Sequence, residues 1–366
     1  MSRDYPGLDL IRLFAALAVA AYHLCYWWWL PGQLDRPDFV AAGWTQGVVA
    51  AGWIGVPIFF VLAGFVIAFT ADGRSPGQFL RNRALRLYPI AWLCAATTAL
   101  VAGATPLALV SSALLLPTGQ WVSGVYWTLP VEIAFYLLVA LSLRLRWDLS
   151  RLTTVLAVVG GGYWLARTAD GLVGKPIRPF FELVEGSRWG NLTLLTYGCF
   201  FAIGMLLWAF AARRANRLHL PLLALCILAG LLQLVSSSHS INAVNGQAFS
   251  PAWPILIWTA ALLLIIGSIR WNERLTAALG DRRATLRTAG LLTYPLYLVH
   301  SEVGRNLALA LGGALPPVAA TVVGLALTVA IAWCALRIEP YPKTVLARLL
   351  DAAGLGSRPL AAPSPR

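Results

Sequence analysis

Residues 8–29 read LDLIRLFAALAVAAYHLCYWWW, an apolar run broken by Asp9, Arg12 and His23. At about 1.5 Å per helical residue such a run crosses roughly 30 Å of hydrocarbon. The ionisable groups inside it are placed with a helical period. Asp9 lies one turn before Arg12 and can neutralise it. Arg12 and His23 are eleven residues apart, about 1100° of rotation, so both project from one face, about 16 Å apart along the axis. A signal peptide is not expected here, because Arg12 interrupts the apolar core and the run continues past Ala18-Val19-Ala20 to Leu30.

The rest of the chain repeats this solvent preference. Of 366 residues, 59% are hydrophobic and 12% charged, and the mean hydropathy is +0.71. Soluble domains carry about twice that share of charge. This balance excludes a water-soluble enzyme, a disordered chain and a disulfide-stapled domain, and makes a bilayer the solvent. Ten apolar segments are long enough to read as helical spans, at about 8–29, 48–70, 84–103, 124–143, 152–168, 190–211, 219–237, 252–270, 289–310 and 317–338. The fold class is therefore all-α, a polytopic membrane bundle of about ten helices. Residues 152–168 are the weakest, being short and carrying Gly160-Gly161-Gly162, and 105–117 read as re-entrant or as a loop cover. With the N-terminus inside, 21 of the 28 basic residues face the cytoplasm, six face the other side and Arg12 lies in the first span. That split predicts both termini cytoplasmic, and it explains the net charge of +13 by topology without invoking nucleic acid. The longest outer loop, about 169–189, carries Lys175, Arg178, Glu182, Glu185 and Arg188. Residues 1–340 read as one transmembrane domain, and 341–366 as a cytoplasmic tail ending in a Pro/Ala/Ser-rich, disordered stretch. The five cysteines, Cys25, Cys94, Cys199, Cys226 and Cys334, all lie in apolar segments and read as small hydrophobes.

Ionisable groups in hydrocarbon cost about 2.5–3.5 kcal/mol or more each, which makes them functional pointers. His23 is either packed against a backbone carbonyl or takes a proton from a hydroxyl; its alignment with Arg12 favours the second. Glu132, in Trp127-Thr128-Leu129-Pro130-Val131-Glu132, falls at a depth shared with His23. It would fix the imidazole tautomer, or form an ion pair with an arginine elsewhere. Arg83 and Arg86, spaced i and i+3 on one face, are placed either to anchor anionic lipid or to grip phosphates. His300, in Thr293-Tyr294-Pro295-Leu296-Tyr297-Leu298-Val299-His300 with Glu302 following, lines the same cavity or bridges helices. There is no P-loop, GxGxxG, HExxH, GxSxG or Cys/His cluster.

These segments together resemble the membrane-bound acyltransferase family 3. The match runs through the R-x10-H of Arg12 and His23 and the stretch Gly52-Trp53-Ile54-Gly55-Val56-Pro57 to Phe65. It continues through the RxxR of Arg83 and Arg86 with Tyr88-Pro89, the WTLPVE of 127–132, Thr293 to His300, and Glu339-Pro340. The order is that of the family and the motifs span nearly the whole chain. Family members often carry Asp at Pro57, Ser at Ala63 and Ser at Thr128, so an acid or hydroxyl role at the first two is absent here. No hydrolase-like domain is expected after the tenth span.

The resemblance implies an integral-membrane O-acyltransferase of a bacterial inner membrane. It would move an acyl group, acetyl by default, from acyl-CoA to a hydroxyl of a carbohydrate, lipid-linked or small acceptor, as in O-acetylation of polysaccharides. On this reading His23, Arg12 and Glu132 are catalytic, with His23 the general base. Arg81, Arg83, Arg86 and Tyr88 hold the donor, while Asp9, Trp127, Tyr297 and His300 support the substrates. No metal is required. A covalent acyl-histidine relay is a variant of the same scheme. A multi-span transporter or flippase of lipid-linked sugars is the alternative from another class, since buried charges in ten helices also fit one. A non-catalytic scaffold is a third.

Overall fold

The computed structural model describes residues 4–41, 44–174 and 176–355. Among them every regular element is helical and no strand occurs. Arg3, Lys175 and the Pro/Ala/Ser-rich end with Arg358 and Arg366 lie outside the described residues.

The principal helices are α1 (Pro6–Cys25), α2 (Gly55–Ala71), α3 (Pro76–Ala102), α4 (Thr128–Arg144), α5 (Leu149–Leu172) and α6 (Gly198–Ala211). They continue as α7 (His219–Asn245), α8 (Ala252–Arg270), α9 (Arg282–Val299), α10 (Glu302–Leu311), α11 (Pro317–Ile338) and α12 (Pro340–Leu350). Local chemistry sets several ends. A Ser75/Gln78 capping box with Pro76 behind it opens α3, and left-handed Gly103 (φ 66°) closes it. Helix α3 thus begins eight residues before the expected span at 84, and the basic stretch 81–86 is helical, as the i and i+3 reading of Arg83 and Arg86 requires.

Length and apolarity single out seven segments among the described residues as able to cross a membrane, rather than the expected ten: Pro6–Trp29, Thr45–Ala71, Pro76–Ala102, Gly124–Arg144, His219–Asn245, Ala252–Arg270 and Pro317–Ile338. The other three expected spans are helical but differ in kind. Helix α5 has 24 residues, longer than expected, and α6 has 14. The segment 289–310 is two helices, because α9 stops at Val299 and α10 starts at Glu302. Residues Pro106–Ala113 form a helix of 8 residues within the segment expected to be re-entrant, and residues 340–350 of the tail are helical.

Helix α1 packs on α9, α2 and α8 with one face, and leaves Leu10, Phe14 and Leu17 exposed on the other. This location explains why its ionisable face is tolerated: Asp9, Arg12 and His23 meet protein instead of lipid. The closest helix pair is α2 with α6. A Cβ at Gly64 would collide with the Phe201 carbonyl oxygen, and one at Gly204 with that of Val61. Only two facing glycines permit this backbone approach, the membrane small-residue contact. By contrast a Cβ at Gly162 on α5 meets nothing within 4 Å. We therefore expect Gly204→Ala to cost about 1–3 kcal/mol by overpacking. In a detergent thermal-unfolding series the midpoint should fall for Gly204→Ala and stay level or rise for Gly162→Ala; equal midpoints would refute the contact's role.

Candidate functional site

Two interior cavities flank α1. The smaller, about 380 Å³, is lined by Asp9 and Arg12 of α1, Arg83 and Arg86 of α3, Glu132 of α4 and Arg287 of α9. The larger, about 630 Å³, is lined by His23 with Trp28, Trp53, Trp127, Gln233 and Glu302 among others. Val56 and Tyr297 line both, so the cavities meet at that pair. The Arg12–His23 spacing thus does put both side chains on the helix face that carries the chemistry. It opens them on adjacent cavities, though, and not on one shared pocket.

In the smaller cavity Arg12 Nη1 bonds Asp9 Oδ1 at 2.9 Å, and Arg287 Nη1 lies 3.7 Å from Asp4 Oδ1. Those two cations are matched. Glu132 accepts a short hydrogen bond from the Tyr136 hydroxyl and interacts electrostatically with Arg83, Arg86 and Arg12. Glu132 thus faces Arg83 and Arg86, the second of which also interacts with Asp9. Arg83 lies near the Phe79 and Tyr136 rings, 5.7 and 5.9 Å from their centroids, and its Nε is buried without a hydrogen-bond partner. An orphaned guanidinium N–H in a confined cavity fits an anionic ligand, phosphate above all.

Arg81 and Tyr88 do not join this group. Two residues is about 200° of helix, so Arg81 points away from Arg83 and Tyr88 away from Arg86. Arg81 Nη2 instead pairs with Asp351 Oδ1 at 2.8 Å, beyond the end of α12. Tyr88 packs its ring against Trp92.

Glu132 also departs from expectation. It lines the cavity of Arg12, and the larger cavity takes Trp127 from the 3₁₀ turn Gly124–Trp127 that precedes α4. Five residues beyond that turn's Trp127, Glu132 has passed below Tyr297. The ion-pair reading of Glu132 with arginines therefore describes its surroundings better than contact with His23.

The partner of His23 is His300. His300 Nδ1 lies 2.7 Å from the Tyr297 carbonyl oxygen, and His23 Nδ1 lies 3.0 Å from that of Val19. A carbonyl only accepts, so in both neutral rings the proton sits on Nδ1. His300 Nε2 is then an acceptor and receives the same His23 N–H at 3.1 Å, a three-centre bond. His23 Nε2 is left proton-free, with no protein partner among the described residues, on the wall of the larger cavity. The expected backbone contact of His23 is present, and together with the His300 contact it occupies one nitrogen and leaves the other.

The break between α9 and α10 builds this arrangement. Pro295 deprives α9 of an amide, and the helix ends at Val299. The carbonyl of Tyr297, free in the last turn, is capped by the His300 ring. The Tyr297 hydroxyl donates to Val125 O at 3.1 Å and meets Thr128 Oγ1 at 3.0 Å, which ties α9 to the turn carrying Trp127. Ser301 Oγ accepts from Trp28 Nε1 at 3.0 Å.

Several lining residues were not singled out in the sequence. Arg287 was counted only as a cytoplasmic charge. Gln233, Ser236, Ser237 and Ser240 line the larger cavity from α7, and their signal was available as a polar cluster at the end of an otherwise apolar helix.

Comparison with known proteins agrees with the geometry. A family model described as an acyltransferase domain matches residues 5–337. Nodulation protein 10 of Rhizobium leguminosarum bv. viciae is 25% identical over 294 residues, 65% of this chain and 77% of that protein. Acyltransferase MdmB of Streptomyces mycarofaciens is 34% identical over 158 residues, 38% of this chain and 39% of its own length. Exopolysaccharide production protein ExoZ of Rhizobium meliloti is 32% identical over 194 residues, covering 47% and 60%. No solved structure matches the chain. With nearly the whole chain covered by one model, the protein belongs to acyltransferase family 3 and is an acyl-transferring enzyme with several membrane-spanning helices.

Proposed function

We propose that the chain moves an acyl group, acetyl by default, from acyl-CoA held in the smaller cavity to a hydroxyl of a carbohydrate or lipid-linked acceptor held in the larger one. The observation that carries this reading is the proton-free Nε2 of His23 on the wall of a cavity adjoining an arginine-lined one. The orphaned Nε of Arg83, with Arg86 beside it, suits the phosphates of the donor. Arg12 supports donor charge deeper in, and Glu132 balances the arginines. The bound donor supplies a thioester, whose carbonyl is the electrophile.

Each step then falls to a residue of this chain. His23 Nε2 takes the acceptor's O–H proton as that oxygen bonds the carbonyl carbon. The carbon–sulfur bond breaks, and His23 returns the proton to the departing thiolate. His300 accepts from His23 Nδ1 throughout, which holds the ring in the tautomer the reaction needs and stabilises it when protonated. Tyr297 and Val56 stand where donor and acceptor meet. The aromatic, amide and hydroxyl wall of the larger cavity suits a sugar, consistent with the exopolysaccharide name of one relative.

For topology, we propose about ten spans with both termini cytoplasmic in a bacterial inner membrane. The 21:6 distribution of basic residues supports this, with α5, α6 and the α9–α10 pair as the spans beyond the seven. The proposed domain runs from 1 to 340, followed by the cytoplasmic tail. Reporter fusions at either terminus should be active only inside the cell; an outward-facing C-terminus would overturn the topology.

His23→Ala should lower acyl transfer from acetyl-CoA by about 10²–10⁴-fold, and Arg12→Ala should abolish it, in protein that still inserts and elutes as a single species. Unchanged turnover in His23→Ala would remove the base assignment. His300→Phe should lower kcat by roughly 10–100-fold with KM for the donor preserved. Arg83→Ala should do the reverse, raising donor KM by about tenfold. Arg81→Ala should leave donor KM near the wild-type value, since its guanidinium is committed to Asp351.

A further inference from the structure

Glu302 opens α10 immediately after the break at His300–Ser301. Its side chain is 9% exposed. Oε1 accepts from the Gly124 amide at 3.3 Å, at the start of the turn that carries Trp127. Oε2 is buried and has no hydrogen-bond partner, yet the residue lines the larger cavity beside His23, Trp28 and Trp127. Arg305 is coupled to it electrostatically, and its guanidinium has other partners as well. It lies over the Trp28 ring, 4.2 Å from the centroid, and its Nε donates to Asn306. The charge of Glu302 is thus countered at a distance, while one oxygen lacks a donor. An unsatisfied buried carboxylate oxygen is costly in surroundings of low dielectric, so a ligand that donates there is favoured.

We infer that Glu302 is a specificity-determining residue of the acceptor cavity, its Oε2 accepting a hydrogen bond from a second hydroxyl of the acceptor while the first faces His23 Nε2. A neutral O–H donor fits better than an ammonium, because Arg305 already balances the carboxylate. The class of ligand is a pyranoside with at least two free hydroxyls, its C–H faces against the tryptophan rings. The inference rests on the function proposed above and adds which group chooses the hydroxyl that is acylated.

The test uses the full chain in nanodiscs, radiolabelled acetyl-CoA, and the methyl α-pyranosides of glucose, mannose and galactose with their monodeoxy series. In the wild type, removal of one particular second hydroxyl should lower kcat/KM at least tenfold. Glu302→Gln keeps an oxygen for Gly124 and turns the orphan acceptor into a donor. It should raise acceptor KM at least tenfold with acetyl-CoA KM unchanged, and in this variant the same deoxygenation should cost no more than about twofold. Additive losses would mean that Glu302 and the hydroxyl do not meet. Deoxy and parent sugars of equal rate would mean that water fills the Oε2 site. A rise in both KM values would mark a structural role. Any of the three overturns the inference. If Glu302→Gln does not fold, the wild-type deoxy series decides alone. Wild type that consumes acetyl-CoA yet labels no pyranoside overturns the acceptor class and leaves the donor half standing, whereas failure to use acetyl-CoA overturns the underlying function.

Discussion

One N–H shared between two neutral imidazoles organises the interior of this protein. His23 Nδ1 and His300 Nε2 lie 3.1 Å apart between α1 and the end of α9. In hydrocarbon a protonated pair would carry a heavy desolvation cost, while a neutral pair needs only that each N–H find an acceptor. The acceptors are backbone carbonyls: Val19 within α1, and Tyr297 in the turn where α9 stops. Had α9 continued through residue 301, the Tyr297 carbonyl would have been taken by the helix itself and His300 would have lost its anchor. The same interruption places Ser301 under Trp28 and Glu302 against Gly124. A single broken turn thereby orders the wall of the larger cavity, in keeping with the rule that irregular backbone survives at membrane depth only where it lines a cavity.

Charge is sorted between the two cavities. The guanidiniums collect in the smaller one, matched in part by Asp9, Asp4 and Glu132, and the larger one holds the uncharged histidine. In a low-dielectric interior the separation matters energetically, since a guanidinium at contact distance would oppose protonation of His23 by several kcal/mol. At about 16 Å along α1 that opposition is much weaker. On the proposed reading a phosphate-bearing donor is bound by guanidiniums at one end, and proton transfer proceeds at the other, where Glu185 and Glu302 line the cavity and, among the described residues, no arginine or lysine does.

How far the site was legible depended on whether a feature is local. The alignment of Arg12 with His23, and of Arg83 with Arg86, follows from helical period alone, and both pairs lie as that period requires. The grouping of Arg81 and Tyr88 with the arginines came from a motif read as a string, and the same period argues against it. The association of Glu132 with His23 rested on counting depth from helix ends, which cannot see that Tyr297 and Val56 come between. The His300 contact was out of reach for another reason. Residues 289–299 and 307–310 are apolar enough for hydropathy to read one helix across the polar 300–306 between them, and the break lies at His300–Ser301, where tertiary hydrogen bonds hold it. The larger set of helices was legible because a bilayer imposes length and apolarity; of the exceptions, α6 is short and almost wholly buried by its neighbours, which relaxes that demand.

Helix α2 makes a final point about how the cavities are connected. It packs backbone to backbone on α6 through Gly64 and Gly204, which fixes it as a rigid wall. Its cavity-facing residues include Val56, Phe59, Ala63 and Val66, and Pro57 faces the larger cavity. At Pro57 and Ala63 α2 offers neither an acid nor a hydroxyl to either cavity. The charged groups that enclose the smaller cavity come instead from α1, α3, α4 and α9, leaving an apolar strip that runs along α2 from the arginines to Tyr297 and Val56. On the proposed reading this strip lies along the path from the arginines of the smaller cavity to the Val56–Tyr297 pair, beyond which His23 lines the larger one.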